Sequence, residues 1–571
     1  MPTRSWSSLA LAAAACASAR SPAPGAAAAG AQAAVASAPA AAAAPAAEAP
    51  ALPVAIALPG LGEYTRPVGG ASPEAQRWFD QGLKLVYGFN HDEALRSFAR
   101  AAALSPGCAM CSWGVAYANG PHINNPAMSP EQAKAAVAAV RRAQAAHPAG
   151  VERALIDALA LRYQDPQPAS RAPLDLAYAE AMQRARAAFP ADPDVVALTA
   201  EALMDLHPWD LYDAGGKPKP WTAGILEATR AALALAPRHP MANHIYIHAV
   251  EASSDPGQGT QAAAVLRDLQ PGLGHMVHMP SHIDVRTGQW ARAIETNQRA
   301  LEADKRLSAL SPQDGFYALY IVHNHQMLTY AALMAGRSGV ALEAVRAMVA
   351  GIPEGFRKEA TPFLDAYYAM PLEVLMRFGR WDELLAAPDF PADLPASRAL
   401  RHAARGIAWA AKGDVAAARA EQALFAAARG RVPASFMMGQ NPVSSVLEIA
   451  AHLLDGEIRY RAGSADAAFA ELRLAVKAED SLAYDEPPAW VQPVRHALGA
   501  ALTQSGRYRE AEAVFREDLE KHPGNGWSLF GLARALRLQG KPAAELEARF
   551  SRAWDGADVK LRSACFCQQG V

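Results

Sequence analysis

The chain has 571 residues, and its 54 lysines and arginines are balanced by 56 aspartates and glutamates, so the net charge is −2. A near-neutral chain does not carry the basic stripe that is typical of proteins that bind nucleic acids or anionic membranes. We therefore expect no nucleic-acid partner. Beyond the N-terminal segment we also expect no membrane-spanning helix, because no stretch offers about 18 uninterrupted apolar residues.

Residues 1–19 are similar to a secretory signal. They contain one arginine, a short apolar run and then small residues up to Ala19. Cleavage after Ala19 would place the protein in the periplasm or outside the cell. One alternative is a lipoprotein signal with the lipid on Cys16, although Ala13 stands where such signals usually have leucine. The other is an alanine-rich tail without a targeting function.

Residues 20–59 consist almost entirely of alanine, proline, glycine and serine. Such a segment has too few large apolar side chains to offset the entropy cost of ordering, so we predict a disordered linker. The folded part then covers residues 60–571.

The segment 78–106 places small and aromatic residues at fixed offsets. Gly82 and Ala94 stand where two packed helices need small side chains, and Phe98 and Pro106 follow. This pattern resembles the tetratricopeptide repeat, a helical hairpin of about 34 residues. The resemblance implies an all-α, superhelical solenoid of such hairpins over 60–571, with a concave groove that takes a peptide or protein partner.

Two pairs of histidines follow the same period. His244 and His248 are four residues apart, as are His278 and His282, and the second pair follows the first by 34 residues. Side chains four apart project from one face of a helix, and residues one repeat apart occupy equivalent positions on neighbouring hairpins. The four imidazoles should therefore converge.

The repeat register implied by the resemblance adds further polar groups to the concave face of the central region, 239–330. It places His275, His323 and Glu251 on the same surface as the two pairs. Clustered imidazoles are typical ligands of copper, zinc or iron, so we predict a metal site at the six histidines. If the site is catalytic, Glu251 is the candidate general base, or else it is an additional ligand.

Two other interpretations of these histidines remain open. They could form a polar layer in a non-enzymatic scaffold that binds peptides or protein partners, or they could store or deliver several weakly held ions. The sequence does not decide whether the protein is an enzyme.

Four cysteines form two close pairs. Cys108 and Cys111 lie in CAMCSW, which is not a haem attachment site because Ser112 stands where histidine is needed. Cys565 and Cys567 lie in ACFC near the C-terminus. A disulfide is expected either within the first pair or between the first pair and the second; the alternatives are a four-thiolate zinc site, a redox role and inert thiols.

Three connecting segments carry polar and aromatic side chains. Residues 120–126 and 206–213 either cap the groove or only end the helices before them. Residues 484–490, with the sequence YDEPPAW, are predicted to be a plain connection into the last strong repeat.

Overall fold

The computed structural model describes residues 54–568. The predicted signal at 1–19, including Cys16, lies outside the described residues, as does most of the predicted linker. The last residues of the predicted linker, 54–59, are described, and they form hydrogen bonds with the first helical hairpin. The Leu58 amide donates to the Gln81 side chain (3.0 Å), and Gln81 donates to the Ile56 carbonyl (2.8 Å).

Side-chain caps mark the first turn of several helices. The Ser72 side chain accepts a hydrogen bond from the Ala75 amide, and Pro73 occupies the first turn of the first helix. Asn90 caps the second helix in the same way. Ser129 and Gln132 form a reciprocal capping box at a later one.

The first half of the described chain is a series of antiparallel helical pairs. Its helices are α1 Pro73–Tyr87, α2 His91–Leu104, α3 Ala109–Ala118, α4 Pro130–Ala145, α5 Gly150–Ala160, α6 Ala172–Ala188, α7 Pro193–Met204, α8 Thr222–Leu235, α9 Pro240–Val250, α10 Thr260–Leu266, α11 Gly274–His278, α12 Pro280–Arg286 and α13 Trp290–Leu310, with a 3₁₀ turn at Pro256–Gly259.

The second half continues the series. Its elements are α14 Tyr317–Met334, α15 Ser338–Ala350, α16 Glu354–Glu359, α17 Thr361–Leu364, a 3₁₀ turn at Asp365–Ala369, α18 Met370–Arg377, α19 Trp381–Ala386, α20 Pro395–Ala411, α21 Val415–Arg429, the short antiparallel strands β1 Met437–Met438 and β2 Asn441–Pro442, α22 Val443–Arg461, α23 Ala465–Asp480, α24 Val494–Gln504, α25 Tyr508–Lys521, α26 Gly526–Leu538 and α27 Ala544–Ala553.

The small residues predicted for the repeat lie at helix crossings. A Cβ added to Gly82 would be 2.7 Å from the Phe98 ring, and one added to Gly499 would be 2.5 Å from the Phe515 ring. Only glycine permits helices to approach so closely at these points. The predicted all-α hairpin solenoid is confirmed.

Each half of the solenoid curls until its end meets its beginning. In the first half the Gly272 amide donates to the Gly60 carbonyl (2.8 Å). In the second half the Trp527 indole donates to the Leu333 carbonyl (2.9 Å). Two hydrophobic cores result, one from Leu61 to Tyr320 and one from Val285 to Cys567.

This closure changes the setting of the predicted concave face. The inner helices α9, α11, α12 and α14 face a closed interior rather than an open groove, since five of the six predicted metal-site histidines are at most 6% exposed. Over residues 54–568, no helix combines the length and the apolar character needed to cross a bilayer.

Candidate metal centre

Six histidines converge where the inner helices of three successive hairpins meet. They are His244 and His248 on α9, His275 and His278 on α11, His282 on α12 and His323 on α14. Spacing within each helix and stacking of equivalent helices bring the rings together, as the repeat period predicts.

Within the described residues the cluster divides into two groups of three, and in each group one ring nitrogen from each histidine lies within 4.8 Å of the other two. The first triad is His244, His248 and His275, and the second triad is His278, His282 and His323. The triads adjoin. The ring centres of His248 and His282 are 5.6 Å apart, and those of His275 and His278 are 6.0 Å apart.

Hydrogen bonds at Nδ1 orient the rings. His244 Nδ1 donates to the Tyr87 carbonyl (2.8 Å), and His278 Nδ1 donates to Asn297 Oδ1 (2.6 Å). The Asn297 amide nitrogen donates to the Ala293 carbonyl (2.8 Å), which fixes its oxygen toward the ring. Because both partners only accept, these rings carry a proton on Nδ1, and their Nε2 lone pairs point into the cluster.

One carboxylate joins the two triads. Glu251 Oε1 accepts from His248 Nδ1 (2.7 Å), and Glu251 Oε2 accepts from His282 Nδ1 (2.6 Å) and from the Tyr484 hydroxyl (3.1 Å). Both oxygens are therefore occupied. These contacts are those of a residue that positions histidines, and the role of Glu251 as general base or ligand stays a prediction.

The second triad contains a direct conflict between lone pairs. His278 Nε2 and His282 Nε2 are 2.8 Å apart, and hydrogen bonds hold a proton on Nδ1 of each ring. With both rings neutral, two lone pairs face each other. A cation between or beside them, either a proton or a metal ion, removes this repulsion.

The first triad is less constrained. His244 Nε2 and His275 Nε2 are 3.1 Å apart. His275 Nδ1 has no hydrogen-bond partner among the described residues, so this ring can carry its proton on either nitrogen. The buried His248 Nε2 also has no partner there. An unpaired polar atom in a buried site is costly and indicates a missing ligand or water.

The electrostatics keep most of the rings neutral. Burial, together with neighbouring imidazoles, lowers the pKa of His244, His275 and His278, and burial lowers the pKa of His323 to about 3. Neutral imidazole is the form that ligates a metal.

The pair of Glu251 and His282 is the exception. Burial favours the neutral forms, but His282 and His248 hold the pKa of the Glu251 carboxyl below its usual range. Glu251 in turn raises the pKa of His282 against the effect of burial. His282 is thus the one ring of the second triad whose pKa is raised, and its Nε2 faces the Nε2 of His278.

Two aromatic residues with positive φ pack on the cluster. Phe89 has φ 58°, and its ring centre lies 4.4 Å from that of His244. Trp209 has φ 59° and meets His248 edge to face, with 5.3 Å between ring centres. Bulky residues rarely adopt this backbone region, and such strain concentrates at functional sites.

A small cavity reaches the cluster from the side of Trp209. Its volume is about 20 Å³, enough for one water-sized molecule. Its walls include partly exposed and buried residues, among them Ile123, Met204, His207, Trp209, Leu211, His248, Glu251, Ala252 and Tyr484.

Several residues that contact the cluster were not predicted from the sequence. Tyr87 and Asn297 gave no signal, because carbonyl and amide acceptors from distant helices follow no motif. Tyr484 belongs to the segment 484–490, which the sequence predicted to be a plain connection, yet its hydroxyl reaches Glu251. His122 in the loop 120–126 stacks on Phe89 with 4.5 Å between ring centres, so this loop does cover the cluster.

The four cysteines among the described residues form two local disulfides. Cys108 is bonded to Cys111 at the start of α3, and Cys565 is bonded to Cys567 after α27. The expected alternative of a disulfide between the two pairs does not occur in the structure, because each sulfur is already bonded to its near neighbour.

Comparison with known proteins identifies one repeat of the chain. The model of the tetratricopeptide repeat matches residues 494–526, which contain α24 and α25. This part of the chain is a tetratricopeptide repeat. No curated protein is a significant match to the sequence.

Solved tetratricopeptide-repeat structures align over most of the chain. The human IFIT1 dimer with m7Gppp-AAAA has 12% identity and a TM-score of 0.28, and the alignment covers 85% of this chain and 90% of that one. Yeast Tom70 has 11% identity and a TM-score of 0.29, with 85% and 92% covered. The Cut9–Hcn1 assembly of APC/C has 12% identity and a TM-score of 0.30, with 86% and 77% covered.

Proposed function

We propose that this tetratricopeptide-repeat protein binds two transition-metal ions, one in each histidine triad. The observation that carries the proposal is the 2.8 Å approach of His278 Nε2 and His282 Nε2 while both Nδ1 protons are held by acceptors. Nδ1 bonded to a carboxylate or carbonyl, with Nε2 left free, is the usual state of a metal-ligating histidine.

The ligand set narrows the choice of metal. Neutral imidazoles without thiolates suit copper, zinc or iron, whereas calcium and magnesium prefer oxygen ligands. Three protein ligands per ion leave a coordination position for water or substrate, which is the pattern of catalytic rather than structural sites. We propose on this ground that the centre is catalytic.

The burial of the cluster disfavours the alternative of a peptide-binding groove at this position. Five of the histidines are at most 6% exposed, so a peptide would have to open the first half of the solenoid to reach them. The proposed site is accordingly one for ions and small molecules.

Metal content tests the proposal. The full chain, purified without a histidine tag, is compared by elemental analysis with H278A/H282A and with the control H452A, which removes a histidine paired with Glu471 away from the cluster. We expect two equivalents of metal in the native chain and in H452A, and one in the double variant. A native chain that takes up no copper, zinc or iron would contradict the proposal.

We also propose that the protein is exported. The signal-like residues 1–19 and two disulfides support this, because disulfides persist mainly in oxidising compartments. The mass of the mature N-terminus distinguishes cleavage after Ala19 from a lipid on Cys16, and an intact Met1 would contradict export through this signal.

A further inference from the structure

We infer that the two triads hold a pair of copper ions whose ligand is dioxygen. This inference rests on the proposed metal site and names its substrate class. Three features of the structure carry it: the charge of the buried cluster, the adjacency of the triads and the size of the cavity beside them.

The first feature is the low negative charge of the site. The triads contribute six imidazoles and no carboxylate ligand, since both oxygens of Glu251 bond to protons of histidines and Tyr484. The nearby guanidinium of Arg286 donates to the Glu251 carbonyl (3.0 Å) and offsets the Glu251 charge. A second buried carboxyl, Glu486, accepts from the Tyr484 hydroxyl (3.2 Å) beside Glu251. Four positive charges from two divalent ions would therefore be only partly compensated in this buried site, which is unfavourable.

Two Cu(I) ions carry half of this positive charge, and reaction with dioxygen leaves the net charge of the site unchanged. Each Cu(I) gives one electron and becomes Cu(II). Dioxygen gains the two electrons and becomes peroxide, so the O–O double bond becomes a single bond and no proton is taken up or released. The two positive charges gained by the metals are matched by the two negative charges gained by the oxygen. The net charge of the buried site is thus the same before and after the step.

The second feature is that two one-electron donors lie side by side. The triads adjoin through His248 and His282, and both of these rings are held by the same carboxylate, Glu251. Each ion keeps an open coordination position, because each triad supplies three nitrogens. A small bridging ligand can therefore meet both ions, as in other two-metal sites.

The third feature is the cavity, which leads from the partly exposed Trp209 to the buried His248. Its volume of about 20 Å³ has room for a molecule of the size of water or dioxygen. Apolar side chains such as Ile123 and Met204 form part of its wall, beside the polar Glu251 and Tyr484, and this apolar part suits an uncharged gas.

The test uses the full chain loaded with Cu(I) under anaerobic conditions. We expect two Cu(I) per chain, consumption of one O₂ per copper pair on exposure to air, and loss of the electron paramagnetic resonance signal expected for isolated Cu(II), because bridged Cu(II) ions couple. In H278A/H282A we expect one copper, which gives the ordinary Cu(II) signal once oxidised, and loss of paired O₂ uptake.

A second variant tests the cavity without touching a ligand. Ala252 lies at its partly exposed edge, so A252F should fill it, leave two Cu(I) bound and slow O₂ uptake several-fold. An unchanged rate would overturn the cavity as the route of entry.

The outcomes separate this inference from the proposed metal site. Two bound Cu(I) without O₂ uptake, or two tightly held zinc ions that exclude Cu(I), would support the metal site and overturn the dioxygen inference. A chain that binds no metal at all would overturn both.

Discussion

Replacing Glu251 with glutamine should weaken the binding of one of the two metal ions and leave the binding of the other unchanged. A glutamine at this position can accept a hydrogen bond from only one of the rings of His248 and His282, because its other terminal atom is an NH₂ donor. The ring that faces the NH₂ group must move its proton from Nδ1 to Nε2. That Nε2 can then no longer ligate a metal.

The size of the effect follows from these contacts. Loss of a hydrogen-bond partner behind a metal-ligating histidine lowers metal affinity by about 10- to 100-fold, or roughly 1.4–2.7 kcal/mol. We expect this loss at one ion only, because the amide oxygen of glutamine still accepts the Nδ1 hydrogen bond of the other ring.

The assay is a competition titration of each protein against a chromophoric chelator, which resolves the two affinities. The matched control is E373Q. Glu373 is also buried, but burial raises its pKa to about 8, so it is already a neutral carboxyl that glutamine mimics. Two unchanged affinities in E251Q would refute the idea that Glu251 sets the proton positions of both triads, and thermal unfolding checks that the variant remains folded.

Three further predictions concern stability. Removing the metal with a chelator should lower the melting temperature. A ligand at a thousandfold excess over its Kd stabilises the native state by about 4 kcal/mol, and the chelator removes this stabilisation. Equal melting curves with and without chelator would contradict a metal bound to the native state. Asp194 accepts from the Tyr64 hydroxyl (2.8 Å), the Tyr87 hydroxyl and Arg66. Burial alone would raise the pKa of the Asp194 carboxyl, but His239 and Arg66 hold it well below the usual range. The stabilisation is therefore present above the unfolded pKa of about 4 and is lost progressively as the pH falls below it. D194N should lower the free energy of unfolding by about 3–5 kcal/mol at neutral pH. Unfolding measured over a series of pH values should show that the variant loses less stability in acid than the native chain, and an equal loss would contradict this. G82A should lower the free energy of unfolding, measured by chemical denaturation, by about 1–3 kcal/mol, because its Cβ would lie 2.7 Å from the Phe98 ring. The control G224A, where a Cβ meets nothing within 4 Å inside α8, should be neutral or stabilising by up to about 1 kcal/mol.

The sequence predicts the hairpins well because their packing is local. Gly82 and Phe98 are 16 residues apart, and the small-and-aromatic pattern that joins them repeats along the chain. The histidine cluster was predictable for the same reason, since a period of 34 residues converts directly into neighbouring positions on stacked helices.

The closure of each half was not predictable in this way. It depends on contacts such as Trp527 with the Leu333 carbonyl and Gly60 with the Gly272 amide, which join residues about 200 positions apart and leave no periodic signal. For that reason the histidines were expected on an open groove and lie in a closed interior. The division into two triads also depends on the acceptors Tyr87 and Asn297, whose roles come from tertiary packing alone.

The most direct test of the two-metal centre is an anomalous difference map from crystals of the metal-loaded full chain, collected at the absorption edge of the bound metal. The account predicts two peaks, one at about 2.0–2.1 Å from the Nε2 atoms of the first triad and one at the same distance from those of the second. A single peak, or peaks away from the six histidines, would contradict it.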